Sequence, residues 1–268
     1  MRKQTHFIKS LAKGILVLQA FSAERPQLTL TEIAGLTGMN TPAVQRFTDT
    51  LMELGLLKRN RHKEFFLGPK VLSLGFSFLN GSQLRKLAET HLTEFAERIN
   101  RNVNLGVLDE GQVVYLFRKE TQSFIKLDLG AGSLMPSYCT AMGKVLLAGL
   151  DDHRLKELLG KMELVRVTKH TITDREELWD DLMKTRKRGY SVCDRELTLA
   201  LYSLAAPVLN QKGAVVAAIN ISISADEAIG VHLQEMVAEL ISVGRELSAS
   251  MGYSGDYPAN FPNSSLAD

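Results

Sequence analysis

A chain of 268 residues with 45% hydrophobic residues has room for two ordinary packed domains, and a formal charge of +2 excludes nothing by itself. Two cysteines are too few for a disulfide framework or a cysteine zinc site. No run approaches the ~20 apolar residues that cross a bilayer, and the opening MRKQTHFIKS lacks the apolar stretch of a signal peptide, so the expectation is a cytoplasmic protein with no membrane partner.

Ile8 to about Phe21 forms an amphipathic pattern, with Ile8, Leu11, Ile15, Leu18 and Phe21 on one side. Residues 28–67 then read as a winged helix-turn-helix. A short helix over about Thr31–Thr37 is broken by Gly38, a residue free to take the positive φ of a tight turn. Thr41 is placed to cap a second helix, with Pro42 at its first position. In that helix Val44, Phe47, Leu51 and Leu54 make one stripe, and Pro42, Gln45, Arg46 and Asp49 fall on the opposite face. Gly55 ends it. Two strands, about Leu57–Arg59 and Glu64–Leu67, flank a wing tip at Asn60–Lys63.

Helix-glycine-helix alone is a common fragment, and a basic hairpin alone is usually just solvated. In this order, with a wing attached, they point to double-stranded DNA: the second helix in a major groove, the wing against phosphate. Thr41, Pro42, Gln45, Arg46, Lys58, Arg59, Arg61 and Lys63 are the expected contacts. Asp49 on the reading face is the one objection, unless it accepts from a cytosine amino group. Residues 1–80 hold eleven basic and five acidic residues, and the remainder 21 and 25, so the basic excess coincides with the helix-turn-helix.

Pro69–Phe78 is expected to leave the wing as a helix, with a break at Asn80-Gly81-Ser82 marking the domain boundary. Gln83–Asn100 is the next helix. Strands follow at Asn102–Asp109 and Gln112–Phe117 around a Glu110-Gly111 turn, and again at Phe124–Leu129. Helices are expected at Gly143–Gly149, His153–Leu159 and Glu176–Arg188. Strands at Leu204–Leu209 and Ala214–Ser224 and a helix at Val231–Met251 complete the pattern. Hairpin strands interleaved with helices suggest an α+β domain on a central antiparallel sheet. The expected divisions are 1–80, 81–253 and a disordered Pro/Asn/Ser-rich tail at 254–268.

The second domain carries little catalytic chemistry. It has no nucleophile elbow, phosphate loop, dinucleotide fingerprint or metal-spaced His cluster, so no catalytic residue, metal or cofactor is assigned. Asn220 and Ser222 alternate with Ile219, Ile221 and Ile223, which puts two polar side chains on one face of an otherwise aliphatic strand. Buried polar groups need partners: a small ligand, a buried water or a packed neighbour would each serve.

Over about Ile8–Met251 the chain resembles the IclR family of transcriptional regulators. KSLAKGILVLQAF is similar to that family's first helix, and LMPSYCTAMGKVLLAGL from Leu134 to its pocket loop and helix. A C-terminal signature runs from Gly189 through Glu196 and Ser203–Val208 to Asn210. Cys193 departs from the Asp or Ser usual there, and Leu209 from an aromatic or His. Within the family, ERPQLTLTEIA and PSYCTAMGKVLLA look most like regulators of protocatechuate and 4-hydroxybenzoate catabolism. The resemblance implies an N-terminal winged helix-turn-helix, a linking helix and a GAF-like effector domain. It implies homodimers or homotetramers on palindromic operators and a small organic acid effector. Carried over residue by residue, its effector site comprises Phe124, Leu127, Met135, Ala141, Met142, Cys193, Leu201, Ser203, Asn220 and Ser222. The competing reading is an enzyme acting on a small organic acid, with the helix-turn-helix as an interaction module.

Overall fold

The computed structural model describes residues 6–122, 129–229 and 233–258. The chain divides into two compact units, Met1–Gly81 and Ser82–Asp268.

In the first unit, α1 (Lys9–Gln19), α2 (Leu30–Thr37) and α3 (Thr41–Glu53) precede β1 (Leu57–Arg59), β2 (Phe65–Leu67) and α4 (Lys70–Gly81). A capping box starts α2: the Thr29 hydroxyl accepts from the Glu32 N–H, and the Glu32 carboxylate accepts from the Thr29 N–H at 2.7 Å. Gly38 ends α2 in the left-handed region, with φ +67°. The cap of α3 is Asn40, not Thr41: its side chain accepts from the Ala43 N–H at 2.9 Å. Asn and Thr are both good caps, so the two adjacent residues could not be ranked by type. The buried stripe of α3 is Val44, Thr48 and Leu51; Phe47 is half-buried. Leu54 is 50% exposed, because α3 stops at Glu53 and Leu54 already lies beyond the last full turn. The β1–β2 hairpin pairs Leu57 with Leu67, and at its tip the Asn60 side chain accepts from the backbone N–H groups of His62 and Glu64.

No residue of α4 is buried, and the helix continues through Asn80 and Gly81. The expected break narrows to Ser82, whose side chain accepts from the Arg85 N–H and caps α5 (Gln83–Ile99).

The second unit continues with β3 (Asn102–Asp109), β4 (Gln112–Lys119), β5 (Leu134–Pro136), α6 (Ala141–Ala148), α7 (Asp152–Lys161) and α8 (Arg175–Arg188). β6 (Ser191–Asp194), β7 (Leu201–Leu209), β8 (Val215–Ser224) and α9 (Leu233–Ser250) follow. The six strands form an antiparallel sheet in the order β5-β4-β3-β8-β7-β6. Helices α5 and α9 pack on one face, α6 and α8 on the other. Among the described residues, no helix is long and apolar enough to cross a membrane.

Strands β5 and β6, three and four residues long, were not anticipated; segments this short show too few periods to separate them from loop. β4 runs two residues past Phe117, and β7 starts at Leu201 instead of Leu204. Of the strand expected at Phe124–Leu129, only Leu129 falls within the described residues, and it is not in a strand. The expected tail is anchored at its start. Tyr257 is buried and its hydroxyl donates to the Pro207 carbonyl at 2.6 Å, while residues 259–268 lie outside the described residues.

Candidate functional site

In the first unit, Thr41, Pro42, Arg46 and Asp49 are exposed on the outer face of α3, and Gln45 is half-buried. Gln45 donates to the Asp49 carboxylate at 2.6 Å. The carboxylate that counted against a reading face is thus engaged by a neighbour on the same face, and the Gln45 amide is committed with it. Lys58, Arg59, Arg61 and Lys63 are all exposed along the wing. None of these four, nor Arg46, forms an ion pair with a described carboxylate. Arg59 is partly held by the Phe65 ring, 5.2 Å away. The hairpin thus presents unneutralised charge beside a helix with an open polar face, which is the physical requirement for docking on a duplex.

In the second unit the register of the sheet assembles residues far apart in sequence. Pairing aligns Arg118, Asn104, Asn220 and Ala205 across β4, β3, β8 and β7. A second row aligns Asn102, Ser222, Ser203 and Cys193. Directly paired residues share a face, so these polar groups stand together, while Ile219, Ile221 and Ile223 fill the opposite face. A cavity lies over the rows. Its walls include Arg118, Asn220, Ser222, Ser203, Met142 and Tyr115, with Asn102, Leu129, Thr140, Ala141, Leu197 and Leu201 completing them.

Three hydrogen bonds beneath the cavity run in one direction, from Arg118 to Ser222. Arg118 Nη1 donates to Asn104 Oδ1 at 3.0 Å, Asn104 Nδ2 donates to Asn220 Oδ1 at 2.8 Å, and Asn220 Nδ2 donates to Ser222 Oγ at 3.2 Å. Each acceptor of the chain already takes one bond from a neighbour. The donors left to face a ligand are the second Asn220 amide hydrogen, the Ser222 hydroxyl and the guanidinium. The Arg118 side chain is only 10% exposed, and its Nε is buried with no hydrogen-bond partner among the described residues. Glu120 balances part of its charge at 3.3 Å from the exposed side. Burial pushes the Tyr115 phenol up to about 12, Arg118 opposing it, so Tyr115 is a neutral wall.

Of the ten residues carried over from the family resemblance, six line this cavity: Ala141, Met142, Leu201, Ser203, Asn220 and Ser222. Met135 does not. It sits on the edge strand β5 opposite Val113 and packs into the core. Cys193 belongs to the second polar row but lies outside the lining; it is buried and donates to the Cys139 carbonyl at 3.1 Å. Phe124 and Leu127 lie outside the described residues. The cavity adds Arg118, Asn102, Tyr115, Leu129, Thr140 and Leu197 to those anticipated. The sequence did carry a signal for the asparagines: Asn102-Val103-Asn104-Leu105 alternates in the same way as Asn220-Ile221-Ser222-Ile223.

One edge of the cavity is the first turn of α6. Thr140 caps it, accepting from the Gly143 N–H at 3.3 Å. Gly143 permits the approach, since a Cβ there would lie 2.2 Å from the backbone of Ser137. One residue on, Lys144 is 1% exposed and pairs with Glu196 and, at 2.8 Å, with Asp181 of α8. Burial works against its charge, but Glu196 and then Asp181 outweigh that and hold its pKa above the ordinary value. This buried pairing ties the start of α6 to α8 and to the loop after β6.

Two family models match the chain: the IclR helix-turn-helix domain over residues 10–61, and the bacterial transcriptional regulator IclR C-terminal region over residues 76–249. The Pca regulon regulatory protein of Pseudomonas putida is 34% identical over 243 residues, covering 90% of this chain and 83% of its own. The transcriptional regulator KdgR of Escherichia coli K12 is 33% identical over 257 residues, covering 96% and 97%. Among solved structures, an IclR homolog of Microbacterium hydrocarbonoxydans complexed with 4-hydroxybenzoate shares the fold at a TM-score of 0.77. It is 23% identical, with 90% of this chain and 98% of that one covered. The matched families and relatives are regulators, and none supports the enzyme reading. An exposed helix-turn-helix with a basic wing, a sheet domain enclosing a polar cavity and full-length similarity on both units lead to one assignment: the chain belongs to the IclR family of bacterial DNA-binding transcriptional regulators.

Proposed function

We propose that this regulator binds operator DNA as a dimer and takes a small organic carboxylate, aromatic acids foremost, into the cavity over the sheet. The observation that carries the ligand class is the polarity of the floor. A site whose fixed hydrogen bonds engage its acceptors and leave a buried guanidinium, an amide N–H and a hydroxyl as donors favours an anion. Met142, Tyr115, Leu129 and Leu201 offer apolar surface for a ring, with sulfur–aromatic contact at Met142. No arginine stands among the residues carried over from the family, and that alone would favour only moderate affinity; Arg118 removes that ground. Likeness to a Pca regulon regulator and to a structure holding 4-hydroxybenzoate supports the aromatic choice.

The cavity's volume open to water is only about 30 Å³, room for roughly two water molecules. A benzene-sized ring takes a cavity of about 150 Å³. The ligand therefore requires an enlarged site, and it favours whichever arrangement of the protein supplies one.

On the DNA side, Arg46 makes base contacts, Thr41, Pro42 and Gln45 fit the reading helix to the groove, and Lys58, Arg59, Arg61 and Lys63 hold phosphate. The test of the effector reading is thermal shift with protocatechuate, 4-hydroxybenzoate, β-ketoadipate and short 2-oxo acids, in wild type and in Asn220→Leu. A cognate acid at ~100 times its Kd stabilises the wild type by about 2.7 kcal/mol and leaves the variant unshifted. Equal shifts in both proteins reject the site, and a response only to non-aromatic acids outside that pathway rejects the aromatic choice.

A further inference from the structure

We propose that the N-terminal helix of the DNA-binding unit is itself a backbone-binding element: Lys9 and Lys13 of α1, together with Arg46 of α3, form a cationic groove for DNA phosphates beside the reading helix. Helices α1 and α3 pack against each other, and an open groove of about 600 Å³ lies between them, with Lys9, Ser10, Lys13 and Arg46 on its walls and Phe47 among the residues that line it. The wing cations account for phosphate contact on one side of α3. This groove supplies it on another.

Three observations combine. First, Lys9 and Lys13 are four residues apart, so they share one side of α1. The exposed apolar residues Ile8, Leu11 and Ile15 fall on a different side of the same helix, while the exposed Leu16 follows Lys13 by three residues on the charged side. A partner that covers Ile8, Leu11 and Ile15 therefore leaves Lys9 and Lys13 open to DNA. Second, the groove holds three cations and one carboxylate, Asp49, and Asp49 is already engaged by Gln45. No described carboxylate forms an ion pair with Lys9, Lys13 or Arg46. Third, α1 starts without a side-chain cap and without an acidic residue in its first turn. The positive end of its dipole is thus left unopposed and adds to the potential of the lysines.

Arg46 connects this groove to the reading surface, being at once a wall of the groove and an exposed residue of the face that meets the bases. A duplex seated on that face brings its sugar-phosphate edge against the flank of α3, where α1 runs. The ligand class is double-stranded DNA backbone, without sequence preference at these positions.

The experiment uses the full chain and a duplex selected by the wild-type protein from a random pool, with an unselected duplex of equal length beside it. Affinity is measured by fluorescence anisotropy across a KCl series for wild type, the Lys9→Gln/Lys13→Gln double variant and Lys9→Arg/Lys13→Arg. The double glutamine variant is expected to weaken both duplexes by a similar factor. Its slope of log affinity against log salt becomes shallower by about 0.9 for each phosphate that is no longer neutralised, and the arginine variant restores the slope. Sedimentation and circular dichroism identical to wild type exclude loss of assembly or fold as the cause. An unchanged salt slope overturns the proposal. So does a loss confined to the selected duplex, which would make the lysines base-reading or assembly residues.

Discussion

Arg118 is where the residue scale decides most. Its guanidinium is fixed from one side by Asn104 and from the other by Glu120, and its Nε is left without a described partner at the wall of the cavity. Leaving a charged donor buried and unpaired is costly, and a carboxylate ligand removes that cost. Arg118→Gln should therefore lose about 1.5–3 kcal/mol of effector affinity, roughly tenfold to over a hundredfold, while binding the selected duplex as wild type does. Isothermal titration with the cognate acid reads the first quantity and anisotropy the second; undiminished acid affinity would remove Arg118 from the site. The thiols make a separate prediction. Burial pushes Cys139 up to about 12 and raises Cys193 well above the ordinary thiol value of 9.0. The folded chain then keeps protons that the unfolded chain releases above pH 9. Their contribution to stability is full below that pH and declines as pH rises toward the folded values. Each thiol costs about 1.4 kcal/mol per pH unit in that window. Melting temperature scanned from about pH 8 to about pH 11 should fall less steeply in Cys193→Ala than in wild type.

At the scale of elements, the proposed docking divides recognition between α3 and the wing. Arg46→Ala should cost about 1–3 kcal/mol on the selected duplex and relax base preference. Arg61→Ala should weaken all duplexes alike and flatten the salt dependence. A gel shift in which Arg46→Ala binds its selected duplex as tightly as wild type would show that α3 does not enter the groove as described. The helix-turn-helix was legible because its signals are local: a capping residue, a glycine at the turn, an apolar stripe and a two-strand wing lie within forty residues. The face of β8 was legible for the same reason, since alternation over Ile219–Ile223 needs no partner strand. The rest of the cavity was not. Arg118 lies one residue beyond the expected end of β4, and it reaches Asn220, more than a hundred positions away in sequence, only through Asn104 of β3. Cross-strand register puts these residues side by side, and register is a property of the folded sheet that one strand's pattern does not carry. Met135 stands in the right segment but outside the cavity lining, because β5 places it opposite Val113 and against the core cluster.

At the scale of the whole molecule, Leu72, Leu74, Phe76 and Phe78 of α4 are 59–74% exposed, and Ile8, Leu11 and Ile15 of α1 are exposed as well. Apolar surface of this extent on a small DNA-binding unit supports the proposed contact between copies. One head alone also makes too few contacts to define a genomic site. Sedimentation at micromolar concentration without DNA should therefore give a dimer or a larger assembly, and Leu72→Glu/Phe76→Glu should shift it toward monomer; a monomeric wild type would contradict the dimer. In the proposed function the cavity and the DNA surface are two sites of one equilibrium, joined because an organic acid selects an enlarged cavity. The most direct test is the affinity of the wild-type protein for its selected duplex, measured with and without the acid that gives the largest thermal shift, and repeated in Arg118→Gln. The expected result is a change of about 5–150-fold in wild type and none in the variant at the same acid concentration. Duplex affinity that stays constant in wild type while the acid demonstrably occupies the protein would contradict it.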